Sequence, residues 1–264
     1  MPIRLGIVSY LNTRPLVYAL ERNLIPHRFE LIYDVPSACA RALAAGEVDL
    51  AIVPSIEYAR SRDYRIVPDI AIASDGPVRS VLLLSRKPFG QVRSIALDTS
   101  SRTSVTLARV LMRRHGFAGA CIDHPPDLDA MLRAADAAVL IGDSALHVER
   151  PDLHTLDLGQ AWREETGLPF VFAVWAGRPD ALTPGDVAAL IEAKRIGLRH
   201  VDDIAVAYAG GRRNPPSFYA AYLTESIRYG LGSREIEGLR AFYRCAAGLG
   251  LVEQEPDLRF YEED

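Results

Sequence analysis

Two short polar segments contain the side chains best suited to chemistry. Residues 9–15 read SYLNTRP and residues 98–104 read DTSSRTS, and each follows an apolar, β-branched stretch. In the second segment, hydroxyls, backbone N–H groups and the positive end of the following helix would form a small-anion receptor. Arg102 adds a two-pronged donor for a carboxylate. One hydroxyl is enough to cap a helix, so their density favours binding. For residues 9–15, a ligand-facing loop and a polar turn capped by Asn12 or Thr13 fit the sequence equally well.

Weaker candidates stand at the ends of other apolar stretches. Gly142 permits close approach of a backbone, and Asp143 would either cap the next helix or meet a ligand hydroxyl, with capping the simpler interpretation. Ser55 and Ser80 stand where predicted strands end or begin, and would line the same site. Trp162 is able to wall an aromatic ligand but is expected to pack in the core.

The sequence also excludes several kinds of chemistry. The six histidines and three cysteines form no HxH, HExxH or Cys-x-x-Cys pattern, which predicts no metal site. G-x-S-x-G and G-x-G-x-x-G motifs are absent, which argues against a serine hydrolase or a nucleotide-dependent oxidoreductase. Only Lys87 and Lys194 of the 30 basic residues are lysines, and neither has the neighbours of a Schiff-base or phosphate-loop lysine. The residues alone describe a small-anion receptor without a cofactor.

Composition limits the partners and the compartment. The net charge of −4, without any basic run, argues against nucleic acid. The longest apolar run, around residues 168–177, is far shorter than the roughly 20 residues of a membrane span. Three cysteines make an odd set and no secretory cleavage pattern is present, so we expect a cytoplasmic protein with a small-molecule partner.

The stretches that position these segments alternate between strand and helix patterns. The predicted strands are 4–9, 28–34, 49–53, 79–85, 93–98, 120–123, 137–141 and 170–176. The predicted helices include 38–45, 102–115 and 128–134, and a helical tail whose first helix starts at Thr183, Pro184 and Asp186. This alternation predicts an α/β fold in which mostly parallel sheets are flanked by helices.

Breaks at residues 86–90 and 177–179 divide the chain into two lobes. The first lobe would comprise residues 1–86 and 178–264, including the C-terminal helices, and residues 87–177 would form an inserted second lobe. In such an arrangement a ligand lies in the cleft between the lobes, where strand ends and helix beginnings converge.

The order of these segments resembles one known family, the chorismate dehydratases of the futalosine route to menaquinone. The matching stretches are SYLNTRP (9–15), PSACARALAAGEVDLAIVPSIEY (36–58), SDGPVRSVLLLS (74–85), ALDTSSRTS (96–104), LIGDSAL (140–146) and DLGQAWREETGLPFVFAVWA (157–176). The resemblance implies a type-II periplasmic-binding-protein-like fold. It also implies a cofactor-free lyase that converts chorismate to 3-[(1-carboxyvinyl)oxy]benzoate.

The resemblance also assigns roles. Asn12 stands at the motif asparagine on which the family relies, and we expect it to orient the leaving hydroxyl or the abstracting group, with the substrate's side-chain carboxylate as candidate base. The residues expected to bind substrate are Ser9, Tyr10, Arg14, Ser55, Ser80, Ser100, Ser101, Arg102, Thr103 and Asp143. Those within 98–104 would hold one carboxylate, and the others would position the rest. Arg102 is the first candidate among the arginines, followed by Arg14 and Arg79.

Alternative interpretations stay open from the sequence. The chain would otherwise be a non-catalytic receptor for small anions or aromatic acids. It would also fit the pathway's 1,4-dihydroxy-6-naphthoate synthase, which shares the fold but has a different first loop. A dehydratase outside the pathway ranks third. The sequence is compatible with a homodimer.

Overall fold

The computed structural model describes residues 2–61 and 63–262, which form two five-stranded sheets with helices on their faces. The strands are β1 (Ile3–Val8), β2 (Phe29–Asp34), β3 (Leu50–Pro54), β4 (Arg65–Ser74), β5 (Val81–Ser85), β6 (Ser94–Asp98), β7 (Ala120–His124), β8 (Ala137–Ile141), β9 (His154–Asp157) and β10 (Phe170–Gly177). The helices are α1 (Arg14–Glu21), α2 (Pro36–Ala45), α3 (Ser55–Arg60), α4 (Thr103–Arg114), α5 (Leu128–Ala134), α6 (Gly142–Leu146), α7 (Leu158–Thr166), α8 (Pro184–Arg199), α9 (Val201–Ala209), α10 (Pro216–Ala221) and α11 (Ser233–Gly248). A short π-helix, Tyr222–Ser226, continues α10.

The two sheets share one topology. The first has the order β2-β1-β3-β10-β4, and the second has the order β7-β6-β8-β5-β9. In each sheet the first three strands are parallel, and the fourth is antiparallel to both neighbours. Four of the five strands in each sheet therefore run in one direction, and the predicted two-lobed α/β class is confirmed.

The predicted lobe boundaries are wrong for the two antiparallel strands, β5 and β10. A division at residues 86/87 and 177/178 places β5 with the first lobe and β10 with the second. In the structure, β5 belongs to the second sheet, where it pairs with β8 and β9, and β10 belongs to the first sheet, where it pairs with β3 and β4. The chain thus crosses between sheets before β5 and again before β10. A fully apolar strand pattern indicates burial but does not identify the sheet that supplies the partners.

One carboxylate ties the two crossings together. Asp157 Oδ1 accepts hydrogen bonds from the backbone N–H groups of Gly159 and Gln160, at 2.9 and 3.1 Å, and so caps α7. The same side chain accepts from the N–H groups of Val78 and Arg79 in the first crossing, at 3.1 and 2.6 Å. The start of β5 and the start of α7 are therefore fastened at a single residue.

The core is continuous between the sheets, and the C-terminal helices complete it. Trp162 is fully buried, stacks edge-on against Phe170 and Phe242, and donates its indole N–H to the carbonyl of Pro169 at 3.2 Å. This contact set confirms that Trp162 packs in the core. Within the described residues, no helix is long and apolar enough to cross a membrane.

Candidate functional site

A cavity of about 60 Å³ lies between the sheets, at the carboxyl ends of their parallel strands. Val8 and Pro54 end β1 and β3 on one side, and Ile141 ends β8 on the other. Its polar lining consists of Tyr10, Asn12, Ser80, Ser101, Thr103 and Ser104. Small-molecule sites of α/β proteins occur at this edge of the sheet, where the strands end.

The polar groups that line this cavity are neutral. Among the described residues of its lining there is no Asp, Glu, Lys, Arg or His. Tyr10 is the one lining side chain there with an ionisable oxygen, and burial raises its pKa, an effect that its hydrogen bond with Ser100 partly offsets. The lining therefore offers hydroxyl and amide hydrogen bonds rather than charges.

Helix beginnings supply the positive potential that side chains do not. Pro36 and Gly142 line the cavity and are the first residues of α2 and α6, while α4 starts at Thr103. The first N–H groups of a helix have no partner within the helix and carry partial positive charge. In α4 the N–H of Ser104 donates to the hydroxyl oxygen of Ser101 at 3.3 Å. An anion in the cavity would meet these dipoles.

The first loop crosses the cleft and contacts the second sheet's side. Gly142 has φ +64°, and a Cβ atom there would lie 2.7 Å from the ring of Tyr10, so only glycine admits this ring. The backbone N–H of Leu11 donates to Asp143 Oδ1 at 3.0 Å. Thr13 precedes α1 without any capping bond from its side chain, so the simple capping interpretation of this loop is wrong for Thr13. Asp143, for which a helix cap was the simpler interpretation, accepts the Leu11 hydrogen bond from the loop on the other side of the cleft.

The second polar segment is organised by a buried carboxylate. Asp98 Oδ1 accepts from the N–H and the hydroxyl of Ser100, at 2.8 and 2.6 Å. Burial raises the pKa of Asp98, and its Oδ2 has no hydrogen-bond partner among the described residues. Thr103 Oγ1 accepts from the backbone N–H of Ile56 at 3.1 Å, which joins α4 to α3. Ser100 therefore holds the loop in place through its hydrogen bonds to Asp98, whereas Ser101 and Thr103 line the cavity.

The arginines expected at the site lie outside its lining. Arg102 donates to Glu57 at 2.5 Å, and Arg14 donates to Glu21 at 3.0 Å. Arg79 places its guanidinium over the ring of Phe218, 4.6 Å from the centroid. The position of Arg102 at a helix start indicated that it binds an anion. In the structure the carboxylate of Glu57 accepts from its guanidinium. The spacing of residues in the sequence does not reveal that pairing.

Of the remaining predicted residues, one lines the cavity, one is buried behind its lining and one lies in a neighbouring pocket. Ser80 lines the cavity. Ser55 is fully buried and donates to the carbonyl of Val171 at 2.8 Å, and its oxygen lies 3.4 Å from Thr103 Oγ1. Ser9 lies with Arg14 and Asp143 in a neighbouring outer pocket.

Two residues that the sequence reasoning did not assign also belong to the site. Ser104 lines the cavity, and its signal was present in the DTSSRTS segment. Tyr222 is buried and donates to Ser80 Oγ at 2.8 Å. Its segment carries only a helix pattern, so no local signal pointed to it. In the described ranges, no group of three or more His, Cys, Asp or Glu side chains is placed to hold a metal ion.

Comparison with known proteins gives consistent matches at the level of sequence. A family model described as menaquinone biosynthesis matches residues 3–248. A chorismate dehydratase of Thermus thermophilus is 34% identical over 269 residues, covering 95% of this chain and 96% of that protein. A chorismate dehydratase of Campylobacter jejuni is 28% identical over 253 residues, covering 94% and 99%.

Solved structures with the same fold share little sequence with this chain. A protein of Archaeoglobus fulgidus superposes with a TM-score of 0.80 at 19% identity, covering 95% of this chain and 98% of that one. The periplasmic aliphatic sulphonate binding protein of Escherichia coli has a TM-score of 0.68 at 16% identity, with coverage of 100% and 92%. These likenesses confirm the periplasmic-binding-protein-like fold.

Proposed function

The chain belongs to the menaquinone biosynthesis family, and we propose that it is a lyase that dehydrates chorismate to 3-[(1-carboxyvinyl)oxy]benzoate. The observation that carries the site-level argument is the neutral cavity, whose polar lining within the described residues is limited to hydroxyl and amide groups. Chorismate is a dianion with a ring hydroxyl. A set of hydroxyls, one amide and several helix beginnings suits both kinds of group.

The chemistry of the reaction explains why so few catalytic groups suffice. The ring hydroxyl leaves together with the hydrogen on the neighbouring ether-bearing carbon, and the ring becomes aromatic. This makes the elimination strongly downhill. Negative charge formed on loss of the proton spreads into the diene conjugated with the ring carboxylate. The protein therefore has to orient the substrate and exclude water rather than supply a strong acid and base.

The substrate supplies its own base in this proposal. The described lining contains no carboxylate, imidazole or amine, and an amide such as that of Asn12 does not accept a proton at neutral pH. The side-chain carboxylate of chorismate takes the proton, and the hydroxyl group and that proton leave as water. Asn12 orients the leaving hydroxyl or the carboxylate by hydrogen bonds.

The two carboxylates are held mainly by neutral donors. We assign one carboxylate to Ser101, Thr103 and the N–H groups at the start of α4, and we assign the remainder of the substrate to Tyr10 and Ser80. The direct contact predicted for Arg102 stays a prediction, because that contact requires the guanidinium to leave Glu57.

We also propose a cytoplasmic location. Cys39, Cys121 and Cys245 are unpaired, as expected of a reducing compartment. The predicted homodimer stays a prediction.

The test is direct incubation of the purified chain with chorismate. We expect the ultraviolet absorption of a substituted benzoate to appear, together with a product lighter by one water in mass spectrometry. Chorismate that binds but stays unchanged would instead favour the non-catalytic receptor.

Asn12→Ala tests the assignment of the catalytic residue. We expect kcat to fall by about 100-fold to 1000-fold, because the side chain that orients the departing group is lost. Asn214→Ala, the same exchange outside the cavity, should leave kcat unchanged. Near-normal turnover of Asn12→Ala, measured with the same absorption assay, would remove Asn12 from the mechanism.

A further inference from the structure

Tyr222 lies directly behind the cavity wall and contacts a lining residue. The side chain is 1% exposed, and its hydroxyl donates to Ser80 Oγ at 2.8 Å. Tyr222 opens the π-helix that follows α10, and such widened turns are frequent at functional sites. The contact links the C-terminal helices to the cavity.

This contact decides what Ser80 is able to offer a ligand. A serine hydroxyl has one hydrogen, and its oxygen here already accepts the hydrogen of Tyr222 on one of its two lone pairs. Ser80 must therefore donate its own hydrogen elsewhere. The protein acceptor in the structure is the carbonyl of Val78 at 3.4 Å, which is long for an O–H···O bond. A substrate oxygen in the cavity would make a shorter one.

Tyr222 also reaches the first loop. Burial raises the pKa of the Tyr222 hydroxyl far above its usual range, although hydrogen bonds with Ser80 and Asn12 lower it. The phenol consequently keeps its proton at any working pH. Ser80, which accepts its hydrogen bond, and Asn12, which influences its pKa, come from separate segments and both line the cavity.

Resting on the proposed function, we propose that Tyr222 is a positioning residue for the dehydration, which makes Ser80 a hydrogen-bond donor to the hydroxyl that leaves chorismate. No proton leaves Tyr222 during the reaction. Its hydroxyl donates to Ser80 Oγ, so the serine hydrogen turns away from Tyr222 and is available to a substrate oxygen in the cavity. A hydrogen bond to a departing oxygen strengthens as charge develops on that oxygen, so the effect falls on the chemical step.

The chain offers a matched control in Tyr229. This tyrosine is also buried, lies close enough to Tyr222 for that residue to raise its pKa, and has a hydroxyl without a hydrogen-bond partner among the described residues. Tyr229→Phe and Tyr222→Phe remove the same atom from neighbouring buried rings. They differ in the contact with Ser80.

The experiment compares kcat and KM for chorismate in these variants. We expect Tyr222→Phe to lower kcat about tenfold with KM within about twofold, and Tyr229→Phe to leave both unchanged. In a Ser80→Ala background, Tyr222→Phe should cause no further loss, because its effect passes through the serine. Thermal unfolding of each variant shows whether stability accounts for any difference.

The outcomes separate this inference from the proposed function. Turnover by the wild-type chain, with equal kcat for the two phenylalanine variants, would overturn the role of Tyr222 alone. A tenfold loss that persists in the Ser80→Ala background would overturn it as well. Absence of turnover by the wild-type chain would overturn the proposed function and this role together.

Discussion

The surface and the cavity of this protein use charge in opposite ways. At the surface of the first sheet, Arg4 and Arg178 share the carboxylate of Asp49 at 3.0 and 2.5 Å, and Arg28 pairs with Asp186 at 2.5 Å. The cavity has a neutral lining in the described part of the chain, although 28 arginines are present in the sequence. These three arginines, like Arg102 and Arg14, are paired with carboxylates of the protein.

The difference has a chemical consequence for a substrate that acts as its own base. An arginine placed on a carboxylate stabilises the charged form and lowers its pKa, which weakens it as a proton acceptor. Hydroxyls and helix dipoles hold the same carboxylate with less effect on its basicity. A neutral cavity thus preserves the reactivity of the carboxylate that the proposed mechanism needs.

The largest expected effect comes from placing a charge inside the cavity. Ser101→Asp should lower kcat/KM by about 1000-fold, because a buried carboxylate repels the dianion at a cost of several kcal/mol. Ser101→Asn has nearly the same volume without the charge and should lose only about tenfold. Equal losses in steady-state assays of the two variants would show that size, and not neutrality, limits the site.

A smaller effect is expected at Arg102, which stands in the chain between the lining residues Ser101 and Thr103. Arg102→Gln should raise KM about threefold with kcat unchanged, through loss of a longer-range attraction. Arg60→Gln is the matched control, since Arg60 donates to the other oxygen of Glu57 at 2.6 Å. We expect it to have no effect on KM. A hundredfold rise in KM for Arg102→Gln alone would mean that Arg102 leaves Glu57 and binds the substrate directly.

The smallest effect on turnover is expected at the ion pair between Arg28 and Asp186, which lies outside the cavity lining. Asp186→Asn should leave kcat/KM unchanged and lower the free energy of unfolding at pH 7 by about 1–2 kcal/mol. The hydrogen bond from Arg28 holds the pKa of Asp186 at about 2, against an ordinary value of 3.8. Because the folded-state pKa is depressed, this contribution is present above pH 3.8 and is lost as the pH falls through about 2.

Urea unfolding at pH 7 and at low pH checks this last prediction. The variant should differ from the wild-type chain at pH 7 and approach it at low pH. A difference in stability that stays constant with pH would assign the effect to the helix cap, because Asp186 also accepts from the N–H and the hydroxyl of Thr183.

The elements of the fold were largely predictable because their signals are local. The helix start at Thr183 is confirmed as a capping box with Asp186, and Gly46 ends α2 in the left-handed conformation that is common for a glycine after a helix. The strand β4 was missed, since Pro68 and the positive φ of Asp69 interrupt its pattern. Pairing between strands is a long-range property, which explains the displaced lobe boundaries.

The site was predictable only where it adjoins the end or the start of a strand. Asn12, Ser80, Ser101 and Thr103 all line the cavity, because strand ends converge at one edge of an α/β sheet. The partner of Arg102 lies on another helix, and Tyr222 arrives from the C-terminal tail. The spacing of residues along the sequence predicts neither of these two contacts.

The carboxylate of Asp157 has a mechanical consequence. Because it accepts from the N–H groups of both crossing segments, the two connections between the sheets are fastened to each other at this residue. A displacement of either connection therefore pulls on the other.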